Sequence, residues 1–315
     1  MTFGKKWKRD DKEFQELYKA IEEVTELFGN GLPADYIPFL KYLPASAKAK
    51  KITDFVTWFY DYLRKIYKEH KDTYSEGEES DLMYHLIATL KEAEAEGDPA
   101  FADITDEHMF QIFNDVFFAG TDTSRFTLHW SLAYLAANPD VQAKVQAEID
   151  DTCGDYPVTM KSKHHLHYTD AVLHEVLRMQ PIAPLALPHT TTCDTTIGPY
   201  EIPKGTWVMV NLWALHHDPK EWEDPEDFKP QRFLNENGNM APKPNSYLPF
   251  SSGRRVCVGE ALAKSELLLI LALICQRFSI EVPDGASMVP ETQENSLVCM
   301  AKPYKVLFKP RTATV

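Results

Sequence analysis

Between Tyr247 and Glu266 the sequence YLPFSSGRRVCVGEALAKSE sets one cysteine, Cys257, among glycines and arginines just ahead of an amphipathic run. A thiolate is stabilised by nearby cations and by the free N–H groups of a helix N-terminus. Arg254 and Arg255 supply the cations, and the helix predicted from about 258 to 278 supplies the N–H groups. Gly253 and Gly259 permit a tight backbone wrap and the close approach of something flat and bulky. Zinc would want several Cys or His ligands together, and none stand nearby. A nucleophilic cysteine would want a histidine base, which the sequence alone does not place.

Two further stretches carry polar groups in apolar surroundings. FFAGTDTS (Phe117 to Ser124) puts Gly120, Thr121, Asp122 and Thr123 in the middle of an otherwise apolar helix. Gly costs roughly 1 kcal/mol against Ala in a helix interior. Mid-helix hydroxyls bond back to the i−4 carbonyl and bend the helix, and a buried Asp needs partners or water. The segment reads either as a packing kink or as a polar groove that holds water and relays protons. HEVLRM puts Glu175 and Arg178 on one helical face with Val172, Leu173, Val176, Leu177 and Met179 around them. Such a pair is usually an exposed ion pair of little worth, but these neighbours predict a buried one, and Arg232 of FKPQRF is a further guanidinium that can join it.

The elements that must position these groups are legible in outline. Residues 10–28 and 52–70 read as amphipathic helices. Thr105 is a candidate N-cap, Asp106 and Glu107 suit the first turn, and no proline follows until Pro139. A helix from about 106 to 137 would be roughly 48 Å long and, being apolar nearly all round, should run through the interior. Asn138-Pro139 supplies a cap and an N1 proline for the next helix, and TDAVLHEVLRMQ forms another, ended by Pro181. Residues 195–215 hold short β runs turned by Gly198-Pro199 and Lys204-Gly205. Residues 218–246 form a meander rich in Pro, Asp, Asn and Glu, and KPYKVLFKP is β-like. The fold class is mainly α with a minor β part, in one domain over 1–315.

Composition narrows the function classes. With 315 residues, 44% apolar and 25% charged, the chain is that of a soluble globular protein. A net charge of −14 and a pI near 5.2 argue against nucleic acid as a partner. Five cysteines, an odd number without C-x-x-C, fit free thiols in a reducing compartment. The longest apolar run, Leu267 to Cys275, is too short to span a bilayer, so no transmembrane segment is expected within this chain.

A single thiolate held by a loop matches the axial ligand of a haem. Phe250-Ser-Ser-Gly253-Arg254-Arg255-Val-Cys257-Val-Gly259 resembles the cytochrome P450 signature F-x-x-G-x-R-x-C-x-G at every fixed position. Glu175-x-x-Arg178 resembles that family's E-x-x-R, and Ala119-Gly120-Thr121-Asp122-Thr123-Ser124 resembles its A-G-x-[DE]-T-[TS]. The motifs stand in the family's order, and the resemblance covers essentially the whole chain. LPHTTTCDTTIGPYEIPKGT, VNLWALHHDPKEW and SYLPF resemble the vertebrate steroid 17α-hydroxylase subfamily, whereas GLPADYIPFLKYLP looks more like the aryl-hydrocarbon-oxidising subfamily.

The resemblance implies the cytochrome P450 fold and haem b (iron protoporphyrin IX). It makes Cys257 the axial thiolate on the haem iron, with Phe250, Gly253 and Gly259 shaping its loop, and it brings Arg255 and His189 to the haem propionates. Asp122 and Thr123 would hold water and deliver protons during oxygen activation, with Ala119 and Gly120 opening the groove; Phe118 would crowd the distal pocket. Glu175, Arg178 and Arg232 would lock the scaffold beneath the haem, although Gln231 stands where the family's P-E-R-F has Glu. The implied partners are NADPH-cytochrome P450 reductase, docking near Arg254, Arg255 and Lys264, with cytochrome b5 beside it, and a small lipophilic substrate. The implied place is the cytoplasmic face of the endoplasmic reticulum membrane. Relatives carry an anchor, a hinge, early strands and early helices ahead of the equivalent of Met1, so the chain reads as N-terminally truncated.

The leading reading is a haem-thiolate monooxygenase acting on a steroid or an aromatic substrate. A non-catalytic remnant, or a haem- or protein-binding module, competes with it because the early elements help hold the haem. An isomerase or dehydratase that needs no dioxygen is disfavoured by the intact Asp122-Thr123. GNGLPA, from Gly29, matches a dinucleotide fingerprint on paper, but it follows a helix and Pro33 blocks the required helix start. His164, His165 and His167 resemble a metal tract in a solvated connector, and His216-His217 reads as helix-end capping.

Overall fold

The computed structural model describes residues 4–29, 37, 39–40, 47–77, 79–284, 290–292 and 298–311. Its contacts gather into two compact units, Met1–Thr121 and Asp122–Val315. Beyond Gly29, the dinucleotide-like stretch lies outside the described residues.

The first unit is helical. Helix α1 (Lys12–Gly29), α2 (Ala47–Thr73), α3 (Leu82–Glu96) and the first half of α4 (Asp106–Ala137) bury Leu17, Phe59, Leu63, Ile66, Met83, Ile87 and Phe113 together. Phe118 packs edge-on against Phe55 and Phe59, with ring centroids 5.7 and 5.0 Å away. The start of α4 is fixed as its sequence predicts: Thr105 accepts from the His108 N–H, while the His108 ring accepts from the Thr105 N–H. Asp106 in the first turn takes Tyr67 and Lys71 at 3.0 and 2.9 Å.

The second unit holds the rest of α4, then α5 (Pro139–Cys153), a 3₁₀ turn at Ser162–His165, α6 (His167–Met179), a short α7 (Leu212–His216) and α8 (Glu260–Arg277). Apolar stripes of α4, α5, α6 and α8 meet at Leu135, Val145, Ile149, Val172, Leu271 and Cys275. Burial in this dry cluster pushes the Cys275 thiol up to about 12. Pro139 occupies the first turn of α5 as expected, but Asn138 supplies no side-chain cap: its amide donates to the Tyr134 carbonyl at 2.8 Å.

The β part consists of two-stranded antiparallel pairs. Strand β1 (His189–Thr190) pairs with β4 (Trp207–Val208) in the register His189 to Val208. Strands β2 (Thr195–Ile197) and β3 (Tyr200–Ile202) form the hairpin turned at Gly198, whose φ of +57° suits a residue without Cβ. Strand β5 (Phe278–Glu281) continues from α8 and pairs with β6 (Leu307–Pro310), the β-like segment of the sequence. The observed class is mainly α with a minor β part.

Candidate functional site

Helix α6 builds the floor of the site. Its apolar residues Val172, Leu173 and Val176 are fully buried and carry Glu175 and Arg178 inward with them. Both charged side chains are 0% exposed, and the Arg178 guanidinium meets the Glu175 carboxylate at 2.8 and 3.0 Å. Buried ions need every remaining donor and acceptor satisfied, and here they are matched to the meander. Arg178 donates to the carbonyls of His216 and Pro225, each at 2.8 Å. Glu175 accepts from the Lys229 N–H at 2.9 Å and from Arg232 at 3.0 Å. Arg232 in turn holds the Glu223, Asp224 and Asp227 carbonyls. The predicted grouping of Glu175, Arg178 and Arg232 is present, and the Gln231 departure leaves it intact because Gln231 turns to Tyr168 instead.

Above that floor the chain enters the cysteine loop. Ser251 and Gly253 adopt φ of +64° and +72°, the left-handed region that a serine seldom occupies. A 3₁₀ turn over Gly253–Arg255 follows, and the Cys257 N–H donates to the Phe250 carbonyl at 3.0 Å, closing the loop on itself. Gly259 sits at the N-cap of α8, so the loop delivers Cys257 to the positive end of that helix. The Cys257 thiol is exposed, and a Cβ at Gly259 would stand 3.9 Å from its sulfur, in ordinary contact. Val256, Val258 and Leu262, the second of them 97% exposed, put exposed apolar side chains on the same loop and on the first turn of α8. Arg254 and Arg255 are exposed and enter no ion pair among the described residues.

The remaining predicted residues are dispersed along the chain. His189 lies half-buried on β1, close in sequence to the exposed Leu187 and opposite the β4 pair of Trp207 and Val208. Helix α4 continues without interruption through 119–124, with the Thr121 hydroxyl donating back to the Phe117 carbonyl at 2.6 Å. The helix is interior at Phe113, Trp130 and Leu135 and exposed at Ala119, Gly120, Thr121 and Thr123. Asp122 pairs with Arg125 one turn on, at 3.1 Å.

Sequence reasoning missed two buried histidines beside the cysteine loop. His216 does not cap a helix end: it is fully buried, and its Nε2 accepts from the Leu248 N–H at 2.9 Å. Its neighbour His217 is the capping residue, through its backbone N–H and its Nδ1 near the Trp213 carbonyl. His174, adjacent to Glu175, meets the Tyr247 hydroxyl at 2.6 Å. Burial pushes His216 down to about 4 and His174 well below its ordinary value, so both rings are neutral near pH 7. The only signal in the sequence was their placement within apolar runs. The tract His164, His165 and His167 forms no metal-ligating group among the described residues.

Comparison with known proteins agrees with this geometry. The sequence profile of the family Cytochrome P450 matches residues 1–308. The steroid 17-alpha-hydroxylase/17,20 lyase of Ictalurus punctatus is 39% identical over 317 residues, covering 99% of this chain and 61% of that protein. The proteins of the same name from Squalus acanthias and Homo sapiens are 36% and 35% identical, with 62% of each covered. The chain thus spans about three-fifths of the length of these relatives. An exposed thiol on a loop bound to its own backbone, a buried ion-pair floor and a profile match over nearly the whole length converge on one conclusion: the chain belongs to the cytochrome P450 family.

Proposed function

We propose that this chain carries the haem-thiolate machinery of a monooxygenase that inserts one oxygen atom of O2 into a lipophilic substrate. The other oxygen atom leaves as water, with two electrons and two protons supplied. The observation that carries the reading is the Cys257 thiol, presented exposed at the start of α8 amid exposed apolar residues. That donor set fits a flat apolar macrocycle with an iron at its centre. Cys257 would supply the thiolate to its iron, Phe250, Gly253 and Gly259 would shape the loop that holds it, and Arg255 and His189 would meet its propionates. Haem, when bound, supplies the dioxygen chemistry. The two units together are read as one catalytic domain.

The residues of the chain have separable tasks in this reading. Glu175, Arg178 and Arg232 hold the meander against α6 and so fix the floor. Asp122 and Thr123, with Ala119 and Gly120 beside them in sequence, would hold water and pass protons; the Arg125 contact orients the Asp122 carboxylate. The names of the relatives point to a steroid as substrate. Electrons would come from an NADPH-dependent flavoprotein reductase, with cytochrome b5 as a second donor, at the surface bearing Arg254, Arg255 and Lys264. The endoplasmic reticulum membrane is the proposed location; among the described residues no helix is long and apolar enough to cross a membrane.

The deciding measurement is the carbon monoxide difference spectrum of the reduced, haem-loaded protein. The red-shifted Soret band of a thiolate ligand is expected, and Cys257→Ala should abolish it. Haem binding without that band would overturn the reading in favour of a haem-binding module. Reductase-dependent steroid hydroxylation would extend it to turnover.

A further inference from the structure

The segment that leads into the cysteine loop is gripped at two consecutive residues by two different imidazoles. Tyr247 is buried, and its hydroxyl lies 2.6 Å from His174 Nδ1 and 3.2 Å from the His174 carbonyl. Leu248 donates its backbone N–H to His216 Nε2 at 2.9 Å. The His216 ring also lies nearly parallel to that of Tyr247, with centroids 5.6 Å apart. From there the path to the thiol is short: the Leu248 carbonyl accepts from Ser251, and the Phe250 carbonyl accepts from Cys257. Whatever fixes Tyr247 and Leu248 therefore fixes the start of the loop.

The proton positions follow from the neighbours. His174 Nε2 faces Asp170 Oδ1 at 3.7 Å, one turn earlier on α6. A carboxylate at that nitrogen favours its N–H form, which leaves Nδ1 as an acceptor for the Tyr247 hydroxyl. His216 Nε2 must likewise be bare to accept the Leu248 N–H, so its proton is on Nδ1. The His216 contact needs a neutral ring, and so does the His174 contact with the phenol as donor. Burial enforces that above all; the cations Lys243 and Lys264 near His174 add to it against the opposing Asp170, and Arg178 and His217 add to it near His216.

We propose that Tyr247 is a positioning residue for Cys257, held by His174 and His216 in a neutral imidazole–phenol clamp that sets the loop's conformation. The clamp stands apart from the Glu175–Arg178–Arg232 floor: that ion-pair group holds the meander, whereas the clamp holds the strand of chain leading to the thiol. The assignment rests on Cys257 being the functional thiolate of the proposed function.

Amide hydrogen exchange on the 315-residue chain without haem tests the clamp independently of that reading. Tyr247→Phe removes the hydroxyl and keeps the ring; exchange at Leu248, Ser251 and Cys257 should accelerate about tenfold, with the β5–β6 amides unchanged. His174→Asn places a non-titrating amide oxygen near the former Nδ1. It should hold those loop amides within about threefold of the parent at pH 7. It should also reduce, with His216 still titrating, the acceleration expected of the parent, after correction for intrinsic exchange chemistry, as pH falls below about 6.5. Unchanged loop exchange in Tyr247→Phe, an equal rise at β5–β6, or an undiminished acid response in His174→Asn would each overturn the clamp. Should Tyr247→Phe fail to fold, the pH profile of His174→Asn decides alone. In the haem-loaded protein Tyr247→Phe should at least halve the fraction of the reduced carbon monoxide complex showing the thiolate band. A loosened loop with that fraction unchanged would remove the role toward Cys257. Absence of the band in the parent itself would sink the functional reading while leaving the exchange result standing.

Discussion

The buried Glu175–Arg178 pair and the exposed Cys257 thiol lie in the same unit and follow opposite rules. The ion pair has all its requirements met within the protein: 0% exposure on both side chains, a two-point contact, and further oxygens and N–H groups from the meander. The thiol has its backbone fully engaged and its sulfur left open. A group that only supports can be sealed off, because nothing has to reach it. A group that must bind something from outside is better held through its backbone, which frees the side chain for the ligand.

That contrast predicts a graded set of stability losses. Arg178→Ala leaves the Glu175 carboxylate with Arg232 and the Lys229 N–H alone and releases the His216 and Pro225 carbonyls, and should cost about 3–5 kcal/mol, read as a lowered urea midpoint with an unchanged slope. A loss below about 1 kcal/mol would mean that water enters and solvates the carboxylate.

Acid comes next. Because the His216 value in the folded protein, about 4, lies below its unfolded value, the unfolded chain binds more protons between the two. Stability is therefore full above about pH 6.5 and falls as pH drops toward about 4, by on the order of 3 kcal/mol from this residue. His174 acts in the same direction. His216→Gln should flatten this part of the pH–stability curve; an unchanged slope would assign acid sensitivity to other groups.

The smallest effects belong to the cysteine loop. Gly253→Ala meets no atom within 4 Å, so its cost is the left-handed backbone alone, about 1–2 kcal/mol. Cys257→Ala, for all its expected effect on ligand binding, should change stability by less than about 0.5 kcal/mol in the haem-free protein.

Much of this was legible in the sequence where the causes are local. Thr105 with the acidic turn after it, and Pro139 at the other end, set the bounds of α4, and Gly198 set the β2–β3 hairpin. The burial of Glu175 and Arg178 followed from their apolar neighbours on α6. What escaped depends on partners far away in the chain. His216 finds the Leu248 N–H 32 positions on, and His174 finds Tyr247 73 positions on. No spacing rule reaches that far. The Asp122–Arg125 pair was within reach, being one helical turn apart.

The guanidinium groups of the floor have a consequence for how this region can diverge between relatives. Arg178 and Arg232 hold the meander by the main-chain oxygens of His216, Glu223, Asp224, Pro225 and Asp227. Every residue type offers that oxygen, so those positions can exchange side chains freely while the grip persists. Insertions and deletions are another matter, because one residue more or less would carry the oxygens out of register with two fixed cations. This stretch should therefore drift in composition among homologues while keeping its length.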